Sequence, residues 1–126
     1  MVQVDISQLS TLCNSWKAHL TICRDEFIAY EYQLQQIANQ SLTKEQLQTL
    51  SYLHNQLLIQ LINLRDLKQS ITAHDRKINF EKAAFNGKAN EDSLARHEAL
   101  QVQYLQLQDA LVPLRQSYVA FVNETK

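Results

Sequence analysis

The sequence predicts an all-α fold, an elongated antiparallel bundle of three helices in up-down-up order, and three observations carry that prediction. The 126 residues include one glycine and one proline, which leaves almost no punctuation for turns. Leucine and glutamine, both good helix formers, recur along the whole chain, and β-branched residues rarely run together. Apolar residues return in steps of three and four over spans of about thirty residues, the period of helices packed nearly parallel or antiparallel.

The first helix is expected from about Asp5 to Asn39, with the seam Ile6, Leu9, Cys13, Trp16, Leu20, Cys23, Phe27, Tyr30, Leu34 and Ile37. A break follows at Gln40 to Thr43. Thr43 and Gln46 have the spacing of a capping box, and Leu42 and Leu47 occupy the staple positions around it, so the second helix starts at Lys44. So short a connection makes the first two helices antiparallel neighbours.

The second helix, expected over 44–86, keeps one row apolar at every seventh position: Leu50, Leu57, Leu64, Ile71, Ile78 and Phe85. Thr72 and Asp75 could open a new helix, but the seven-residue phase passes through them unchanged and predicts one continuous element. The flanking row His54, Leu61, Lys68, Asp75 and Lys82 turns polar halfway, which narrows the buried face of the distal half. Gly87 is suited to close the helix in the left-handed conformation.

Asn90 then caps a third helix over 91–124, with Glu91 and Asp92 in its first turn. Its seam is His97, Leu100, Tyr104, Leu107, Leu111, Leu114, Tyr118 and Phe121. Pro113 removes the amide that would bond the Asp109 carbonyl and should kink the helix on the side away from that seam. The whole chain, 1–126, is thus expected to form one domain, long enough for a continuous core without disulfides or metals. Its heptads and the tryptophan in its first helix are similar to those of spectrin-type repeats, features that any long bundle can share.

Composition excludes several functions. Twelve basic and thirteen acidic residues are interspersed, for a net charge of −1, which is not the basic stripe through which nucleic-acid binders neutralise phosphates. The one basic enrichment, Arg65, Lys68, Arg76, Lys77, Lys82 and Lys88, is broken by Asp66, Asp75 and Glu81 and reads as a solvated face. The opening MVQVDISQL has neither the basic nor the apolar region of a signal peptide. The best apolar run, Leu57 to Leu64, is interrupted by Gln60 and Asn63, so no membrane span is expected. Cys13 and Cys23 lie about 15 Å apart along one helix and cannot bridge each other. Free, core-facing thiols suit a reducing compartment, and a cytoplasmic location is expected. The sequons at Asn39 and Asn123 carry little weight there.

The histidines can be placed by level. If residues of helices 1 and 2 face when their numbers sum to about 84, and those of helices 2 and 3 at about 177, the four histidines spread along the rod. His54 then lies opposite Tyr30, His19 opposite Arg65, His74 opposite Gln103 and His97 opposite Phe80. Neither H-E-x-x-H nor the Glu-x-x-His pairs of di-metal bundles occur, so no metal site is expected. His97 is expected to be a partly wetted packing residue. Ala73-His74 followed by Lys77 resembles the A-H-x-x-K stretch of histidine phosphotransfer domains, although Ile78 stands where such domains place a small residue. That resemblance implies an exposed His74 as phosphoacceptor. Lys17 and Arg24 lie a turn from the two cysteines and could lower their pKa values, but no third catalytic member is evident. Lys68 is expected to cover Trp16 with its stem.

One feature exceeds what a lone bundle needs. Leu105, Val112 and Val119 recur every seven residues away from the third helix's seam, with Val102 beside them. Leu58, Ile59 and Ile62 on the second helix and Ile22 on the first also point outward. A second heptad stripe suggests a partner helix or a second copy. Full burial of six such side chains is worth roughly 10 to 15 kcal/mol. The expected function is therefore a non-enzymatic interaction or scaffold protein that self-associates, with Leu58, Ile62, Leu105, Val112 and Val119 as candidate interface and no catalytic residue or cofactor. The alternatives are a phosphotransfer protein using His74, or a bundle that holds a small ligand among Trp16, Tyr30, Tyr104 and Tyr118.

Overall fold

A computed structural model describes residues 5–84 and 89–126. They form three helices, α1 (Ile6–Ala38), α2 (Lys44–Ala84) and α3 (Glu91–Glu124), in an antiparallel three-helix bundle. At 1.5 Å per residue the rods are about 50 to 62 Å long. The predicted ends hold wherever they can be checked. Asp5 caps α1 by accepting from the Ser7 amide at 2.9 Å. Thr43 and Gln46 exchange both capping-box bonds, at 2.9 and 3.1 Å. Asn90 accepts from the Ser93 amide at 2.8 Å. The Gly87 stop, Phe85 and Lys88 lie outside the described residues.

α2 runs unbroken through Thr72, whose hydroxyl donates to the Lys68 carbonyl in the helix's own direction. α3 runs unbroken through Pro113, which sits exposed on the outer side as the seam requires. The α1 seam is buried throughout except for a half-buried Tyr30, and the α3 seam except for a half-buried Tyr104. On α2, Leu57, Leu64, Ile71 and Ile78 are fully buried, and a second core row stands three residues further on: Leu53, Leu67, His74 and Glu81. The heptad needs both rows, because one apolar row every seven residues covers too narrow a stripe to face two neighbouring helices.

Bonded pairs show which flank of each helix faces which neighbour. On one flank of the α1 seam, Ser10 donates to Asp75 at 2.7 Å, Lys17 pairs with Asp75 at 3.5 Å, Thr21 accepts from Lys68 at 2.8 Å, and Glu31 meets His54 at 3.5 Å. The Lys68 ammonium therefore ends on Thr21. On the other flank His19, Glu26 and Gln33 bond Tyr104, Arg115 and Tyr118 of α3. α2 lies close along both neighbours, whereas α1 and α3 approach at few backbone points. Large side chains fill the space between those two: Trp16 stacks on Tyr104 at 5.8 Å and Tyr30 on Tyr118 at 3.7 Å.

The register of α1 on α2 is close to that expected, since Ser10 and Glu31 meet Asp75 and His54 within a residue of the predicted level. That of α3 on α2 is not. His74 meets His97 where Gln103 was expected, and Glu81 meets Ser93 where Arg96 was expected, shifts of six and three residues or about 9 and 5 Å. The cause is Glu81. Both of its carboxylate oxygens lie 2.8 Å from the buried Ser93 hydroxyl, and one accepts from the Asn90 side chain at 3.1 Å. An acidic group favours the positive N-terminal end of a helix, so α3 starts alongside Glu81, short of the end of α2.

Candidate functional site

About two turns of α2 from Glu81 lies a polar layer in the core, with one residue from each helix. Cys13 of α1, His74 of α2 and His97 of α3 are all buried, and one potential donor atom from each lies within 4.8 Å of the other two. His74 Nε2 is 3.1 Å from His97 Nδ1, and Cys13 Sγ is 4.0 Å from the same Nδ1. Trp16 lies over the His97 ring, with centroids 4.8 Å apart. The expectation that the histidines are spread along the rod is thereby corrected for two of the four, as is the expectation of a partly wetted His97, which is 5% exposed.

Two neutral imidazoles facing each other at 3.1 Å share one proton, since one nitrogen must donate and the other accept. Their outer nitrogens, His74 Nδ1 and His97 Nε2, are buried without a partner. Whichever tautomer holds, one N–H and one lone pair are left unsatisfied, at about 1 to 3 kcal/mol each. Burial holds both histidines below the ordinary 6.5; at His74 the neighbouring His97 and Arg96 add to it while Asp75 opposes, and at His97 Glu98 opposes. Burial likewise pushes the Cys13 thiol up to about 11, with Asp75 adding and Lys17 opposing. The trio is therefore uncharged at neutral pH, and Cys13 is not an activated nucleophile.

The lowered histidines fix the sign of a pH dependence. A base whose folded pKa lies below its unfolded value leaves the unfolded chain binding more protons between the two, so stability is full above about 6.5 and falls as pH drops through the folded values. Metal-free protein is expected to melt at progressively lower temperature as pH is taken from about 7.5 to 5. The combined variant His74→Leu with His97→Phe should flatten that slope. An unchanged slope in the variant would assign the acid sensitivity to other groups.

A second cluster lies a few turns along the α1–α3 contact. His19 bonds the Tyr104 hydroxyl through Nδ1, and its Nε2 lies 3.9 Å from Cys23 Sγ, which also receives Arg115 Nη2 at 3.6 Å. Arg115 is committed to Glu26 at 2.7 Å and stands over the Phe27 ring. The basic neighbour of Cys23 is thus Arg115 from another helix, not the adjacent Arg24, which pairs with Asp25. Trp16, Tyr30, Tyr104 and Tyr118 stack in pairs on one another and fill the core, so they do not line a shared ligand cavity. His74 is 4% exposed, and a phosphoacceptor must present a ring nitrogen to solvent.

The candidate interface residues all reach the surface. Leu105, Val112 and Val119 are 53%, 47% and 50% exposed, and Leu58 and Ile62 are exposed as well. They do not form one patch. The α3 stripe lies beside Arg115, on the flank turned toward α1, and Leu12 and Ile22 of α1 are exposed as well. Leu58 lies on the flank of α2 turned toward the other side of α1, near the row whose His54 meets Glu31, and Ile62 lies one turn outward. α1 separates the two sets. Comparison with protein-family models, with curated proteins and with solved structures finds no match to this chain.

Proposed function

We propose that this protein is a non-enzymatic helical interaction module of a reducing compartment, which pairs with a second copy of itself along the α1–α3 flank. The observation that carries the reading is the heptad-spaced exposed row Leu105, Val112 and Val119, widened by Leu12 and Ile22 on the neighbouring helix. At the centre of the flank Glu26 and Arg115 neutralise each other at 2.7 Å, and Glu98 stands at the end of the row, one heptad before Leu105. An uncharged apolar row suits its own copy, because a two-fold axis brings the same patch against itself. No helix among the described residues is long and apolar enough to cross a membrane, so a bilayer does not claim this surface by spanning.

A magnitude bounds the strength. These five side chains are already about half buried, so each gains about half of the 1.5 to 3 kcal/mol for full burial, and two copies together gain roughly 8 to 15 kcal/mol. Association costs about 4 to 15 kcal/mol, so the balance allows a contact in the micromolar range. Sedimentation at tens of micromolar should show a dimer. Val112→Glu should give a helical monomer, because it places an unpaired carboxylate at the centre of the contact. Ile62→Glu, on the far side of α1, should remain a dimer. Wild type that stays monomeric at every concentration would remove the proposal, and a dimer broken by Ile62→Glu would move the contact to α2.

A further inference from the structure

We propose that Cys13, His74 and His97 form a binding site for a thiophilic divalent cation of the zinc class, held by one donor from each of the three helices. The donor set carries the choice of ion. A thiolate with two imidazoles suits zinc and its spectroscopic substitute cobalt, and a hard oxygen-seeking ion such as magnesium or calcium finds no carboxylate among the three. Two of the three edges are close to what such an ion demands, and the third, from Cys13 to His74 within 4.8 Å, has to close by about 1 Å on binding. Zinc–nitrogen bonds of about 2.0 to 2.1 Å and a zinc–sulfur bond of about 2.3 Å at tetrahedral angles put nitrogen donors about 3.3 Å apart and nitrogen and sulfur about 3.6 Å apart. The two nitrogens lie 3.1 Å apart and the sulfur 4.0 Å from His97 Nδ1, so these two edges need to change by less than half an ångström.

The arrangement of protons and lone pairs is compatible with the same assignment. The facing nitrogens of His74 and His97 have a single proton between them without an ion, and both can offer a lone pair to a cation. Binding breaks the Cys13 S–H bond, forms the metal–sulfur bond and releases the proton to solvent, with no change of oxidation state. Three protein donors leave the fourth tetrahedral position for water or for nothing from the chain. The outer nitrogens then carry N–H groups without acceptors, and such acceptors are worth about ten- to hundredfold in affinity, which sets this site below a dedicated structural zinc site. Since the three donors belong to three helices, an ion here staples the bundle about two turns of α2 from the Glu81–Ser93 contact.

The test uses chelator-treated full-length protein titrated with Co(II) and, by competition, Zn(II). One equivalent of Co(II) should bind, with the visible absorption of tetrahedral cobalt and a near-ultraviolet thiolate charge-transfer band. Free Zn(II) at about a hundredfold over its Kd should raise the melting temperature by about 10 °C. Cys13→Ala should abolish the charge-transfer band, and both Cys13→Ala and His74→Leu should weaken binding about a hundredfold or more while remaining helical. Cys23→Ala should keep the band, which distinguishes the two thiols. A merely structural Cys13–His74–His97 contact predicts loss of stability in these variants with no response of the wild type to metal. The proposal is overturned if wild type shows no thiolate–cobalt band at one equivalent, or if Cys13→Ala and His74→Leu bind as wild type does.

Discussion

Leu64→Ala is expected to destabilise the fold by about 2 to 5 kcal/mol, read as a shift in the midpoint of chemical unfolding. Leu64 is 1% exposed in the middle of α2, the helix that lies close along both neighbours. Truncation removes contacts with two helices at once, and rods held in register on either side cannot collapse into the space. The loss should be larger than for Leu50→Ala near the start of the helix, where the side chain is only half buried. Equal effects at the two positions would mean that the core does not tighten toward the centre of α2.

Glu81→Ala is expected to cost about 2 to 4 kcal/mol although no apolar contact is lost. Its carboxylate is the acceptor for the fully buried Ser93 hydroxyl and for the Asn90 side chain, and it fixes where α3 begins. Removing it leaves a buried hydroxyl without its partner and frees the first turn of α3. Amide exchange should therefore rise most over residues 91–97, beyond what the global loss explains. Glu81→Gln, which keeps an acceptor at the same place, should lose about half as much. Uniform protection across α3 in Glu81→Ala would show that the register is held by the apolar seam alone.

The ends of the helices were legible because their signals are local. Thr43 with Gln46 and Asn90 with Ser93 satisfy amides two or three residues away, so a capping pattern in the sequence is already most of the structure. The α1 and α3 seams were legible for a related reason: a row kept over many heptads has only one face to bury. Half of the α2 core was missed. Leu53, Leu67, His74 and Glu81 stand on the second core row, and polar residues at two of those positions hid a stripe that its apolar members would otherwise have declared. The signal was present three residues beyond each member of the row Leu50 to Ile78, since a heptad seam needs both positions.

What the sequence determined by itself is the number of helices, their capped starts and the seams of α1 and α3, because helix period and capping act over a few residues. Only the tertiary structure decided which side chains from different helices meet. The sliding of α3 along α2 brings one buried carboxylate to two polar partners across a connection, and a slide of three to six residues changes every pair of levels. That slide joins His74 to His97 beside Cys13 and so makes the candidate metal centre. Rotation settled the surface in the same way. Leu58 and Val112 share a height, but which flank of α1 each occupies was set by the pairs Glu31–His54 and Glu26–Arg115, contacts between elements that no local pattern encodes.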